Sequence, residues 1–214
     1  LAMTTELFYR DLYYLSDVYD QRNYGASVSF RKPLGEHSYA ELGLTGNNIR
    51  ITTDDDASDL IKREAGDYNQ LKLEGSWVHD TRDSVYITRK GHKVELGAMY
   101  SFGDVECYGL NASASQYFLL PWDTILSVEG AVRTVDGNGN VPIFERLFLG
   151  GANSLRGFDY RDVGPKDGKG EPLGGLTSAY LSLEYTFPII EKVRGADEFN
   201  DSGGKFNFNI GYKF

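Results

Sequence analysis

The chain predicts an all-β fold: a transmembrane antiparallel β-barrel of about nine or ten strands, with one long extracellular loop folded into the lumen. Three observations carry this reading. Apolar and polar residues alternate with period 2 along most of the chain. The connections between the alternating stretches are short on one side and long on the other, as in outer-membrane barrels. The face opposite the apolar one mixes charges with Gly and Ser, which suits a narrow polar lumen.

Composition permits the fold and excludes several others. The 214 residues suffice for one domain, and residues 1–214 read as a single barrel domain. Hydrophobic residues make up 41% and the mean hydropathy is −0.40, values a soluble protein also shows. The 25 Gly, 15 Tyr and 12 Phe, against only 6 Pro, favour many short strands, tight turns and interfacial aromatic girdles. No run approaches the roughly 20 apolar residues of a membrane helix. A net charge of −9 argues against nucleic acid, which requires a basic footprint. The single cysteine, Cys107, has no partner for an internal disulfide. The opening "LAMTTELFYRDL" lacks the basic start and apolar core of a signal peptide, and reads as the inside of a strand.

Strands are expected at about 1–11, 25–32, 38–52 and 69–80. "KVELGAMYSF" follows, with Val94, Leu96, Ala98, Tyr100 and Phe102 opposite Lys93, Glu95 and Met99. The next strand is expected at 105–120, then "ILSVEGAVR", with Leu126, Val128 and Val132 opposite Glu129 and Arg133. "TSAYLSLEYTFPI" places Ala179, Leu181, Leu183, Tyr185 and Phe187 on one face. At the C-terminus Phe206, Phe208, Ile210, Tyr212 and Phe214 alternate with Lys205, Asn207, Asn209, Gly211 and Lys213. A weaker strand over 191–199 is expected from strand parity, because the final strand should end on the same side as Phe187.

Alternation alone also fits a water-soluble sandwich. The polar face separates the two readings: Glu41, Lys72, Glu74, Glu95, Glu129, Arg133 and Glu184 fall on it, which no sandwich core accommodates.

Between the last two clear strands lies "FERLFLGGANSLRGFDYRDVGPK", residues 144–166. Gly150 and Gly151 let the backbone turn back close to a wall, and Gly157 does the same after Arg156. Leu155 and Phe158 are placed to pack on lumen-facing side chains. This stretch resembles the sixth extracellular loop of BamA-type outer-membrane assembly factors, with its Gly-Gly and Leu-Arg-Gly-Phe signature. "WVHDTRDSVYITRKGHKVELG", "SAYLSLEYTFPI" and "FNFNIGYKF" resemble further segments of that family. An unpaired guanidinium in an acidic, low-dielectric tube is costly, so Arg156 should find carboxylates. Glu184 is the position that the resemblance assigns as partner, with Glu129 second.

The resemblance implies an outer-membrane factor that folds and inserts other barrel proteins through an edge-strand gate, without cofactor, metal or enzymatic step. Its implied partners are membrane lipid, unfolded outer-membrane proteins and accessory lipoproteins. Its implied location is the outer membrane of Gram-negative bacteria. The closing seam would join the first strand to Lys205–Phe214. Departures from the family are several. Thr88 stands where the family has Pro. No periplasmic POTRA domains precede the barrel, and several family strands are missing, with a splice or gap expected near 196–197. Two further readings are a two-partner secretion-type pore of the same superfamily, and an engineered miniature that keeps the fold without the activity. An adhesin-like structural barrel and a soluble all-β protein rank behind these.

Other signals point to little. "TDDDASD" lacks the ligand spacing of a calcium loop and reads as a solvated connection. His37, His79 and His92 are scattered without metal-binding spacing. "GANSLRG" is not a nucleophile elbow.

Overall fold

Period-2 stretches become strands wherever neighbours can complete their hydrogen bonds, and here every stretch pairs with the next in the chain. The computed structural model describes residues 1–152 and 154–187, and the backbone alone of Pro188 and 203–213. Nine strands form one antiparallel sheet in sequence order. They are β1 (Ala2–Leu12), β2 (Tyr19–Pro33), β3 (Ser38–Thr53), β4 (Gly66–Asp80), β5 (Gly91–Gly103), β6 (Cys107–Leu120), β7 (Thr124–Gly137), β8 (Thr177–Pro188) and β9 (Gly203–Lys213). A single helical turn, α1 (Asp59–Lys62), lies in the β3–β4 connection.

At one end the strands are joined by turns, including the 3-10 turn Pro121–Asp123. At the other end run the connections 13–18, 54–65 and 138–176, with the short connection 104–106 between β5 and β6. Several strands extend further toward this long-loop end than the alternation suggests. β2 begins at Tyr19 rather than near 25, and β4 at Gly66 rather than 69. The extensions bury Tyr19 and Tyr68 against Ile49 and Ile51, and exposed charge pairs flank them: Arg22 reaches Asp11 at 3.1 Å and Arg50 reaches Asp67 at 2.6 Å.

The register keeps one face apolar across the sheet. Leu44 lies opposite Leu73, which lies opposite Tyr100, which lies opposite Tyr108. Further along, Ala112 meets Val132, and Val132 meets Ala179. Leu42, Leu96, Leu110 and Leu181 on this face are exposed. The other face curves around a cavity of about 770 Å³, lined by Glu6, Arg31, Glu41, Lys72, Glu74 and Glu95, among others. Every neighbour pair in the sheet is antiparallel, and the described strands form one barrel-like sheet.

One expectation about the C-terminal strand is corrected. β9 pairs antiparallel with β8, Ser178 opposite Lys213 and Pro188 opposite Gly203. It therefore ends at the long-loop end, not on the side of Phe187, and the two strands are direct neighbours in the sheet. The expected 191–199 strand lies outside the described residues, as does Phe214. The side chains of Phe206, Phe208, Ile210, Gly211 and Tyr212 lie outside them too. The expected seam between the first strand and the last is not among the described pairings, in which β1 and β9 are the two edges. Parity explains this: with nine alternating strands β1 and β9 run in the same direction, so only a parallel ladder could join them.

Leu183 sits at the middle of β8, opposite Val128 on the apolar face. Leu183→Arg should cost roughly 2–4 kcal/mol if that face meets the bilayer near its midplane. Urea unfolding of the protein folded into phospholipid vesicles measures it, and an unchanged midpoint would contradict the assignment of this face.

Candidate functional site

The connection from β7 to β8 does not leave the sheet. It folds back along the concave face and is tied by isolated bridges at Leu147–Gly175, Leu149–Val163 and Lys166–Pro172. Near the long-loop end it completes two small apolar cores. Ile143 packs with Tyr19, Ile49, Ile51, Ala57 and Ile61, so the loop, β2, β3 and α1 share one cluster. Val141 packs with Val105, Cys107 and Val135 in the second. Phe144 and Tyr68 join both, their rings 5.1 Å apart.

Charged residues beside these cores are buried, and each is paired. Glu64, just after α1, accepts from Arg146 Nη2 at 2.8 Å, from the backbone N–H of Ile143 at 3.3 Å and from Asn140 at 3.3 Å. Arg146 also donates from Nε to the Val141 carbonyl at 2.8 Å and from Nη1 to the Leu173 carbonyl at 3.2 Å. The two side chains are 17% and 9% exposed. The neighbouring Glu145 accepts from Lys72 Nζ at 2.7 Å and from Gln70 at 2.7 Å. A buried carboxylate is tolerated only with such a full set of donors. Farther along, Arg161 stacks on Phe148, 3.4 Å from the ring centroid, and donates to the Leu15 carbonyl at 3.2 Å. Ser16 donates to Glu171 at 2.6 Å.

The loop tip carries the signature residues. Gly150 and Gly151 have φ of 115° and 90°, in the left-handed region, and Gly157 has φ 90°. A Cβ at Gly150 would stand 2.2 Å from the Asp159 carbonyl, so this position admits no side chain without moving the backbone. Leu155 is buried at 1% exposure. Arg156 Nη1 donates to Glu184 Oε2 at 2.6 Å. Glu184 lies in the third pair from the short-turn end of the β7–β8 ladder, so the loop reaches far along the concave face.

Two expectations for the tip need correction. Arg156 is not in a dry environment: its side chain is 48% exposed, against 19% for Glu184. Glu129, the second choice after Glu184, accepts from the Tyr180 hydroxyl at 2.8 Å on the adjacent strand. Phe158 is 52% exposed and does not pack away as Leu155 does.

The residues that sequence reasoning missed are Glu64, Glu145 and Arg146. "TDDDASD" is only partly a solvated connection. Asp54, Asp55 and Asp56 are exposed, but Ala57 and Ile61 enter the core and deliver Glu64 to Arg146. An apolar residue four positions after Ala57, inside an acidic stretch, was the available signal. The histidines are scattered in sequence but not in space. His37 and His79 lie 6.3 Å apart, and His79 and His92 5.2 Å apart, centroid to centroid. Among the described residues no group of three or more His, Cys, Asp or Glu is arranged to hold a metal.

The "DTRD" stretch has a local explanation. Asp80 takes a bidentate pair from Arg82 at 2.9 and 2.8 Å. Asp83 accepts the Arg89 backbone N–H at 3.0 Å, and this contact holds its carboxyl below the usual range. Thr88 donates to the Ser84 carbonyl at 2.7 Å, fixing the turn without a proline.

A nine-stranded antiparallel sheet wrapped around an anchored inward loop is the architecture of an outer-membrane barrel with a lumen-filling loop. The whole chain, residues 1–214, matches the Omp85 superfamily domain, and the protein belongs to that superfamily. It is 30% identical over 192 residues to the outer membrane protein assembly factor BamA of Nitratidesulfovibrio vulgaris, covering 82% of this chain and 24% of the relative. It is 30% identical over 165 residues to a SAM50-like protein of Schizosaccharomyces pombe, covering 72% of this chain and 34% of that one. The chain thus spans about a quarter to a third of these relatives. The crystal structure of BamA from Haemophilus ducreyi lacking POTRA domains 1–3 superposes with a TM-score of 0.77, at 19% identity, over 89% of this chain and 43% of that one.

The two kinds of anchor should respond differently to truncation. Arg146→Ala leaves Glu64 buried without its charge partner and should cost about 3–5 kcal/mol. Arg156→Ala removes a half-exposed, water-screened pair and should cost about 1 kcal/mol or less. Protease cutting within 140–170, with urea unfolding alongside, compares them. If Arg156→Ala opened the loop as much as Arg146→Ala, the ranking of anchors would be wrong.

Gly150→Ala tests the tip independently. The strained φ and the Asp159 contact together should destabilise by more than 1 kcal/mol, roughly. Gly157→Ala, with open space around its Cβ position, should cost only the φ strain. Equal stability of the two variants would show that the close approach at Gly150 carries no weight.

Proposed function

We propose that this chain is the barrel-forming part of an outer-membrane assembly factor that folds other β-barrel proteins into the membrane without an enzymatic step. The observation that carries the reading is the pairing of an internally anchored loop with an exposed edge strand. Among the described residues β1 pairs on one side only, with β2, and presents Leu7 at 87% exposure along with Met3 and Tyr9. An edge strand with free backbone groups templates an incoming strand by β-augmentation. The anchored loop braces the strands behind that edge. Assembly-factor relatives in Nitratidesulfovibrio vulgaris and Neisseria meningitidis support the same reading and favour a bacterial outer membrane. The substrates are unfolded outer-membrane proteins, the surrounding partner is membrane lipid, and accessory lipoproteins would bind outside the sheet.

The protein reconstituted into phospholipid vesicles should accelerate insertion of a urea-unfolded eight-stranded barrel about tenfold over empty vesicles, equivalent to about 1.4 kcal/mol off the barrier. Insertion rates equal to those of empty vesicles would sink the assembly reading. Ion conductance that rises when the loop anchor is broken, with no insertion activity, would favour the secretion-pore reading instead.

A further inference from the structure

The chain's three histidines converge at the short-turn end of the sheet, on its apolar face. In β4 the lumenal side chains are Lys72, Glu74 and Ser76, so Trp77 and His79 point the other way. Trp77 and His79 stack at 6.0 Å with an interplanar angle of 12°. His92 opens β5 on the same face, and His37 sits in the β2–β3 turn. From Asn69 to His79 is about ten residues, the length of a tilted strand crossing a band ~25 Å tall. The histidines therefore stand where the apolar band ends and headgroups begin.

The scaffold under these rings is rigid. Asp80 N–H donates to the His37 carbonyl at 2.8 Å, and Thr81 N–H donates to the His92 carbonyl at 2.8 Å. Gly91 has φ 105°, and a Cβ there would meet the Thr81 carbonyl at 2.4 Å. His79 Nδ1 lies 2.7 Å from the Ser38 hydroxyl, and His92 Nδ1 lies 3.0 Å from the Thr81 hydroxyl. With Nδ1 engaged in both rings, Nε2 is the nitrogen that remains to meet a partner. The rings stack and tilt rather than converge on one point, and they are not arranged as a metal site.

The surrounding charges favour an anion. Lys32 is on the same face of β2, its neighbour Arg31 turning inward to Glu41. Asp80 and Lys93 face the lumen, where they pair with Arg82 and Glu95. β6 contributes the neutral Gln116, which donates to the Gly91 carbonyl. Glu36, an exposed acid, precedes His37 in the turn. The His79 and His92 rings lie 5.2 Å apart, close enough for one anion to meet both. At this depth the abundant anion is the phosphodiester of a phospholipid.

We propose that His37, His79 and His92, with Trp77 and Lys32, form a binding site for the phosphate of a phospholipid headgroup in the leaflet at the short-turn end. Protonated His79 and His92 donate from Nε2 to phosphate oxygens, and Trp77 packs on the glycerol and upper acyl region. The inference rests on the apolar face meeting lipid, which the vesicle measurement on Leu183→Arg tests separately.

Titration midpoints of the three imidazoles, read by NMR, test it. The protein is compared in dodecyl maltoside micelles, in the same micelles with inorganic phosphate, and in phosphatidylcholine nanodiscs. Phosphatidylcholine carries the phosphodiester without net surface charge, so a general surface potential does not contribute. The midpoints of His79 and His92 should rise by about one unit in nanodiscs, a tenfold preference of the lipid for the protonated ring. His79→Gln, in which the β4 backbone keeps its ladder, should remove most of the rise at His92. Equal midpoints in micelles and nanodiscs would overturn the proposal. So would a rise that inorganic phosphate alone reproduces, or a rise at His92 that survives His79→Gln.

Discussion

Glu64 is the constraint around which the concave side is organised. A carboxylate 9% exposed beside Ile61 and Ile143 cannot remain charged without donors, and three of them come from one loop: Arg146, Asn140 and the Ile143 backbone. The β3–β4 connection and the β7–β8 connection, far apart in sequence, are thereby fixed to each other. Once they meet, Ile143 joins Ile61 and Tyr19 in a single apolar cluster. Glu145, next in the chain, is then carried to Lys72 and Gln70 on β4. A mobile loop of that length would lose its conformational entropy for a single contact. Here several contacts form together, so the ordering of each residue is offset by more than one partner.

The outer face was legible in the sequence because its code is local. Leu181, Leu183 and Phe187 repeat every second residue, and that period depends on nothing beyond the strand itself. The Arg156–Glu184 pair was legible only through the resemblance of its loop to a known signature. Glu64 and Arg146 were not legible, because a pair separated by 82 positions leaves no periodic trace. The same holds for the histidines, which meet only because β3, β4 and β5 lie side by side. The early start of β2 was hidden for another reason. Asp20 to Asn23 has the composition of a loop, and it becomes a strand because it pairs with β1 and β3 on its two sides while Tyr19 beside it enters the apolar cluster.

The direction of the last strand shows how parity reasoning can mislead. The final strand was expected to end on the side of Phe187, which called for an extra strand at 191–199, a stretch outside the described residues. The ladder between β8 and β9 is antiparallel, with Pro188 opposite Gly203, so β9 ends at the long-loop end. The nine described strands leave edges that point the same way. Parallel pairing is slightly weaker per residue than antiparallel pairing, so any contact between these edges would be the least stable ladder in the sheet. An incoming antiparallel strand would compete favourably for either edge.

The anchors are graded along the loop, and the grading has a mechanical consequence. Near the long-loop end the acids are buried and held by several donors, as at Glu64–Arg146 beside the apolar cluster and at Glu145–Lys72 on the cavity wall. At the tip Arg156 is half exposed, and water competes with Glu184 for its guanidinium. The root of the loop is therefore held more tightly than its tip. The tip rests on β8, the strand that carries β9, while the root ties the loop to β4 and to the connection after β3. Strands at the centre of the sheet are braced by the strong anchors, and the strand beside the β9 edge by the weak one. A sheet built this way can loosen near that edge while its interior keeps its shape, which is what accepting a new strand at an edge requires.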